Sequence, residues 1–283
     1  MNALELYNHL ETDFPVSVCD DNWSGIGNLE YITEQYKACY MGLVTNNSEQ
    51  IDYVYTAVFP SREVIEKIIS DNRKNALLFV HHPMDWNITK FPIFTDIPSE
   101  TLKLFKERNV SIFNYHSPLD ANGEYSTTVN FAKALGVEKI EEFCKYHGVL
   151  IGVIGKTDCK TVSELQSKFE IAVGHSVKLY QYGDSEIKDS KVALVAGGGN
   201  DLGIYPILKE KDINTYLTGI TRMFESYPPS IEGHNFAKEC GINILSGTHY
   251  STEKFSCIKM VEYFSRLGIN GEFISGMPCL DDM

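Results

Sequence analysis

Ala76-Leu77-Leu78-Phe79-Val80-His81-His82-Pro83 is the stretch on which the fold turns. Its five leading apolar residues have the unbroken hydrophobicity of a strand buried on both faces, as in parallel sheets covered by helices. Pro83 has no amide hydrogen to donate and ends the ladder there. Two imidazoles are therefore delivered to the carboxyl end of a central strand, where open α/β sheets bind their ligands. Successive side chains of extended backbone point to opposite sides. His81 and His82 are thus expected to serve two ions flanking the strand end rather than to share one. The competing reading is a pair of core histidines satisfied by backbone partners. Adjacency at a strand end, with further ligand-type clusters elsewhere, favours metal.

Around this strand, helices and strands alternate, which predicts an α/β fold. Upstream, Ala3–Leu10 has helical spacing, and Tyr53–Phe59 reads as a strand. Ser61 is a plausible N-cap for a helix through Ser70, with Val64, Ile65, Ile68 and Ile69 on its apolar stripe. Downstream, Met84–Ile97 is an irregular aromatic stretch, and Ser99 is read as the cap of another helix. Val110–Tyr115 is a third strand, running into His116-Ser117-Pro118-Leu119-Asp120, and Thr127–Leu135 is a helix closed by Gly136. Strands are then expected at Val149–Ile154, Val177–Tyr182, Val192–Val195, Tyr216–Leu217, Ile242–Leu245 and Ile269–Ile274. Helices are expected at Val162–Phe169, Leu202–Leu208 and Ile231–Cys240. Ser251–Leu267 is read as the longest helix.

Three clusters carry chemistry. The first is His81-His82. In the second, Asp120 offers hard oxygen ligands just past a strand end. His116, four residues earlier, suits a further ligand, a general acid/base, or a donor that orients Asp120. An Asx-type turn over Asp120–Gly123 competes with this reading. In the third, His249 and Glu253 are one helical turn apart and share a face if the helix has begun. An imidazole and a carboxylate at that spacing can hold one ion, with the second carboxylate oxygen left for a neighbour. Neutral imidazoles with two carboxylates leave two divalent ions short of about two negative charges, which favours an anionic ligand such as phosphate. Mixed nitrogen and oxygen donors suit Zn²⁺, Fe²⁺, Mn²⁺, Co²⁺ or Ni²⁺. Gly197-Gly198-Gly199-Asn200-Asp201, between a strand and a helix, reads either as a tight turn needing positive φ or as a cradle for phosphate.

The 283 residues carry a formal net charge of -13. That argues against nucleic acid or an anionic membrane as the main partner. No apolar run is long enough to span a bilayer. The start of the chain lacks the basic and apolar segments of a secretory signal. Seven cysteines are scattered without a Cys-x-x-Cys pair, which fits a reducing cytoplasm rather than a disulfide framework.

Phe79-Val80-His81-His82-Pro83, Tyr115-His116-Ser117-Pro118-Leu119-Asp120, Ala196-Gly197-Gly198-Gly199-Asn200-Asp201, Tyr216-Leu217-Thr218-Gly219 and Gly247-Thr248-His249-Tyr250-Ser251-Thr252-Glu253 occur in one order. In this the chain resembles the Nif-three-like family of dinuclear metal-centre proteins, the GTP cyclohydrolase type-two homologues. The resemblance covers nearly the whole chain. It implies two interlocked α/β lobes of mixed sheets flanked by helices, one comprising 1–136 and 242–283 and the other 137–241. It implies two divalent metal ions held by His81, His82, Asp120, His249 and Glu253, with Glu253 bridging and His116 near the site as a candidate catalytic proton carrier. A toroidal homohexamer is implied as well.

Two departures stand out: Ile220-Thr221 occupy the place of an acidic residue and a histidine, and Phe59 replaces an acidic residue. The activity expected is that of a metal-dependent hydrolase of a small nucleotide or phosphorylated substrate, with Trp86 or Tyr250 available to stack on a base. The alternative is a metal-binding, metal-delivery or regulatory assembly without turnover.

Overall fold

The computed structural model describes residues 1–14 and 16–283. It divides into two compact units, each threaded by more than one segment of chain. Among the described residues no helix is long and apolar enough to cross a membrane.

Unit one comprises 1–121, 147–149 and 256–277. Its elements begin with α1 (Ala3–Asp13), α2 (Glu34–Cys39), β1 (Gly42–Thr45), β2 (Tyr53–Ala57), α3 (Arg62–Asp71) and β3 (Ala76–Val80). They continue with β4 (Asp85–Trp86), β5 (Phe94–Thr95), α4 (Ser99–Glu107), β6 (Val110–Asn114) and α5 (Ser117–Asp120). Ser61 caps α3 as expected, accepting the Val64 N–H. Ser99 does not cap α4: it is the first helical residue, and Pro98 holds the capping position without a side-chain bond.

The sheet order is β1-β6-β3-β2-β13, where β13 is Asn270–Phe273. Only β1 runs antiparallel; β6, β3, β2 and β13 are parallel neighbours. β3 is central and every one of its residues is buried, the outcome its unbroken apolar run requires. Tyr55, Leu78, Val80, Ile112, Val64, Ile68 and Phe105 fill the core on one side of the sheet. On the rest of the sheet Phe79 meets Phe113, Tyr115 and Phe264. β1 and α2 were not foreseen. Both are short, and α2 ends on Tyr40 with a left-handed backbone, so neither carries a full period of pattern.

Unit two comprises 122–146, 150–255 and 278–283. It contains α6 (Thr127–Ala134), β7 (Glu138–Tyr146), β8 (Val149–Lys156), α7 (Val162–Val173), β9 (Lys178–Tyr180), β10 (Lys191–Val195), α8 (Ile204–Glu210), β11 (Thr215–Thr218), α9 (Pro228–Cys240) and β12 (Asn243–Ser246). The last helix, α10, runs from His249 to Arg266. The sheet order is β7-β8-β10-β11-β12-β9, with β10, β11 and β12 parallel, β8 antiparallel to β10 and β9 antiparallel to β12. Phe131, Leu165, Phe169, Val192, Leu194, Leu217 and Leu245 make the core on one face, and Tyr205, Tyr216, Ile244 and Leu208 the core on the other. Thr161 and Glu164 form a reciprocal capping box at the start of α7.

Within unit two, β12 pairs in register with β11, and the Ala196 N–H donates to Thr128 Oγ1 on α6.

Candidate metal centre

The donors of unit one lie where β3 and β6 end side by side. Val80 and Asn114 are register partners, so the residues that follow them emerge as neighbours. His81 and His82 sit on a bend after β3, and both are buried. Their rings do not point apart as the alternation of a strand would require. The centroids are 4.5 Å apart at 74°, because the extended backbone has already ended at Val80. His116 joins them at 4.9 Å from His81 and 4.6 Å from His82. Each of the three offers a nitrogen within 4.8 Å of the other two.

The Asn122 N–H, the donor an Asx turn at Asp120 would use, goes to the Leu150 carbonyl. Residues 117–120 form the single-turn helix α5, with Pro118 suited to its first turn. The Asp120 amide bonds back to the His116 carbonyl, and the side chain returns to the imidazoles. His81 Nε2 is 3.5 Å from Asp120 Oδ1, and His116 Nε2 is 3.8 Å from Asp120 Oδ2.

Hydrogen bonding fixes which imidazole nitrogens carry protons. His81 Nδ1 lies 3.0 Å from the Tyr115 carbonyl oxygen, which can only accept, so Nδ1–H donates. In the neutral ring Nε2 then keeps its lone pair. A lone pair facing a carboxylate is repulsive unless a cation or proton lies between them. A histidine that gives one N–H to a backbone carbonyl and aims the other nitrogen at a carboxylate is the usual surrounding of a metal ligand. The donor set of unit one thus fits a borderline divalent ion. Asn114 steadies the bend, its side-chain amide donating to the His81 carbonyl at 2.6 Å.

Sequence reading missed Asp21. It lies in the loop before α2, flanked by other polar residues, and no local pattern marks it. Its Oδ2 accepts from His116 Nδ1 at 2.5 Å, from Ser117 Oγ at 3.1 Å and from Trp23 Nε1 at 3.3 Å. Its Oδ1 is 3.5 Å from His147 Nε2. Burial alone would raise the Asp21 carboxyl. The bonded His116 imidazole, with His147 and Ser117 behind it, more than reverses this and holds it well below the usual carboxylate range. Trp23 packs edge-on against His116 and His82 at 5.2 and 5.4 Å. Phe59, which stands where an acidic residue was expected, stacks on His82 at 4.6 Å. Trp86, by contrast, packs on Phe94.

The donors of unit two lie on the first turn of α10. The helix has begun at His249, so His249 and Glu253 share a face, with Nε2 and Oε1 3.2 Å apart. Both are buried, as is Tyr250. Asp282 is another residue sequence reading missed, in the acidic last residues of the chain. Its Oδ2 accepts the His249 N–H at 2.9 Å, and its backbone carbonyl accepts the N–H groups of Thr221 and Arg222.

The glycine run closes this turn from the other side. Gly197 has φ +71°, and a Cβ there would lie 2.1 Å from Glu253 Oε1. The amides of Ala196 and Gly197 are taken by the hydroxyls of Thr128 and Thr252, so they do not cradle phosphate. His234 is held by two hydrogen bonds. Nε2–H donates to the Thr221 carbonyl, and Nδ1 accepts from Tyr182.

Known proteins resemble this chain in sequence and in fold. The family model described as Duf34/NIF3 (NGG1p interacting factor 3) matches residues 23–275. A Borreliella burgdorferi protein named GTP cyclohydrolase 1 type 2 homolog is 26% identical over 242 residues, covering 84% of this chain and 87% of its own. An Archaeoglobus fulgidus protein of the same name is 28% identical over 235 residues, covering 82% and 87%. Among solved structures, the protein ybgI, of unknown function, superposes with a TM-score of 0.74 at 19% identity, covering 99% of this chain and all of its own. Reduced HcgD from Methanocaldococcus jannaschii superposes with 0.68 at 22% identity, covering 98% of each. These likenesses establish the fold, and the match of the family model over nearly the whole length establishes that the chain belongs to the Duf34/NIF3 family.

Proposed function

We propose that this chain is a metal-dependent hydrolase of a small nucleotide or phosphorylated substrate, using two divalent ions. His81, His82 and Asp120 of unit one, with His249 and Glu253 of unit two, are the residues that would hold the ions. The observation that carries the reading is the buried cluster of His81, His82 and His116, with the Asp120 carboxylate against His81 and His116. Family membership supports joining His249 and Glu253 to it, and the name borne by curated relatives makes GTP ring opening the first reaction to try.

Divalent ions held by these side chains supply Lewis acidity toward an electrophilic carbon or phosphorus and lower the pKa of water. The protein's own part is positional and protonic. The Tyr115 carbonyl holds the His81 ring with Nε2 outward. His116 takes and returns a proton at Nε2. Phe59 and Trp23 cover the ring faces and edges of His82 and His116 and exclude water from them. The family resemblance also supports a homohexamer, checked by native mass measurement, and a cytoplasmic location, checked by fractionation.

Elemental analysis of the purified protein tests the first half, with about two divalent ions per chain expected and none in the His81→Ala/His82→Ala variant. Turnover of nucleotides, phosphoesters and cyclic amides by Zn²⁺-, Mn²⁺- or Fe²⁺-loaded protein tests the second. Metal retained without turnover above the double variant would reject the hydrolase and leave a metal-delivery or regulatory protein.

A further inference from the structure

We propose that Asp21 is the positioning residue of His116, locking its imidazole in the Nδ1–H tautomer so that Nε2 presents a lone pair to the Asp120 side of the cluster. Every residue in the argument lies in unit one. A carboxylate has no proton to give, so a ring nitrogen bonded to it must be the donor. His116 Nδ1 is that nitrogen, and Nε2 is the one nearest Asp120.

The carboxylate is itself held fast. Ser117 Oγ and Trp23 Nε1 donate to the oxygen that His116 uses, and His147 Nε2 lies against the other. Asp21 and His116 side chains are only 5% and 11% exposed, so water competes little for the bond. Beyond Asp21 the surroundings open toward solvent. His147 is 28% exposed and pairs through Nδ1 with Asp20, which is 78% exposed. His147 alone of this pair faces the far oxygen of Asp21, with Asp20 beyond it on the other ring nitrogen, while the oxygen facing His116 stays within the cluster.

Orientation matters because an imidazole presenting N–H at Nε2 can only donate toward the site. One presenting a lone pair can take a proton there and, once protonated, return it. The inference deepens the proton-carrying role of His116 in the proposed hydrolase, but it is a statement about one ring and can be tested without metal or substrate.

Long-range ¹H–¹⁵N correlation of side-chain-labelled histidine in the metal-free full-length protein reads the tautomer directly. His116→Gln identifies the signal by its loss. The expected result is a protonated Nδ1 and a pyridine-type Nε2 for His116, with the Nδ1 proton strongly deshielded by its charged acceptor. Asp21→Ala is expected to move the ring to the Nε2–H tautomer that free histidine prefers. Asp21→Asn, which keeps the shape, is expected to shift the Nδ1 proton upfield, and Asp21→Glu to restore part of the deshielding. His147→Ala is the control and should leave the tautomer unchanged.

An Nε2–H signature in the unaltered protein would overturn the proposal. So would an Nδ1 proton that Asp21→Asn does not move, even if Asp21→Ala fails to fold. Because metal and substrate are absent from the measurement, loss of the hydrolase reading would leave this result standing, and the reverse also holds.

Discussion

His81 Nε2 and His116 Nε2 face the two oxygens of one carboxylate, Asp120, at 3.5 and 3.8 Å, while the Nδ1 of each ring is committed to another acceptor. Two imidazole nitrogens and a carboxylate converging in a buried place make a strong cation site and a poor apolar core. Asp120→Asn, which removes the charge and keeps the shape, is expected to weaken divalent-ion binding. The loss should exceed the ~10–100-fold that removal of a supporting residue brings. Calorimetric titration with Zn²⁺ or Mn²⁺ measures it, and unchanged affinity would remove Asp120 from the ligand set.

Metal removal should register as lost stability. A ligand present at about 100 times its Kd stabilises the native state by ~2.7 kcal/mol. Dialysis against a chelator is therefore expected to lower the thermal midpoint reversibly. The His81→Ala/His82→Ala variant should start low and not respond to added ion.

Gly197 meets Glu253 so closely that no side chain fits between them. Gly197→Ala is expected to displace the Glu253 carboxylate and to strain a backbone at φ +71°, costing ~1–3 kcal/mol and bound metal as well. Gly174→Ala separates the two effects. That residue has φ +85° with nothing within 4 Å of a new Cβ, so it should cost ~1–2 kcal/mol of stability and leave metal content unchanged. Denaturant midpoints and metal stoichiometry of the two variants decide the matter.

His234 predicts a pH dependence. Burial, partly offset by its bond to the Thr221 carbonyl and reinforced by the charge of Lys178, pushes its pKa below the usual 6.5. The unfolded chain binds its proton more readily, so stability rises with pH across this range. The His234 contribution is complete above about pH 6.5 and is lost as pH falls through the lower native value. There Nδ1 would have to carry a proton and could no longer accept from Tyr182. Urea midpoints between pH 8 and pH 5 should fall more steeply for the unaltered protein than for His234→Gln, and parallel curves would refute this.

Asp282 is fully buried and accepts the first amide of α10. Asp282→Ala is expected to cost ~0.5–2 kcal/mol, the range for loss of a helix N-cap acceptor, and Asp282→Asn less. Equal costs for the two would show that the carboxylate oxygen is not what α10 requires.

Much of this was legible in the sequence where period and composition coincide. The all-apolar Ala76–Val80 could only be a buried strand, and His249 and Glu253 needed only a helix begun in time to share a face. What escaped notice had physical reasons. The divergence expected of His81 and His82 assumed a strand that continues, whereas the backbone bends at once and the rings converge. Asp21 and Asp282 act on residues 95 and 33 positions away. Periodicity and spacing describe neighbours along the chain and cannot register such partners.

The rungs joining β3 to β6 have one last implication. The carbonyl of Val80 accepts from the Tyr115 amide, and the next residues bear His81 and His116. Strand pairing thus fixes where the two backbones leave the sheet. A ladder slips only in whole steps, so the starting points of these two imidazoles are settled when the strands pair, ahead of any side-chain adjustment.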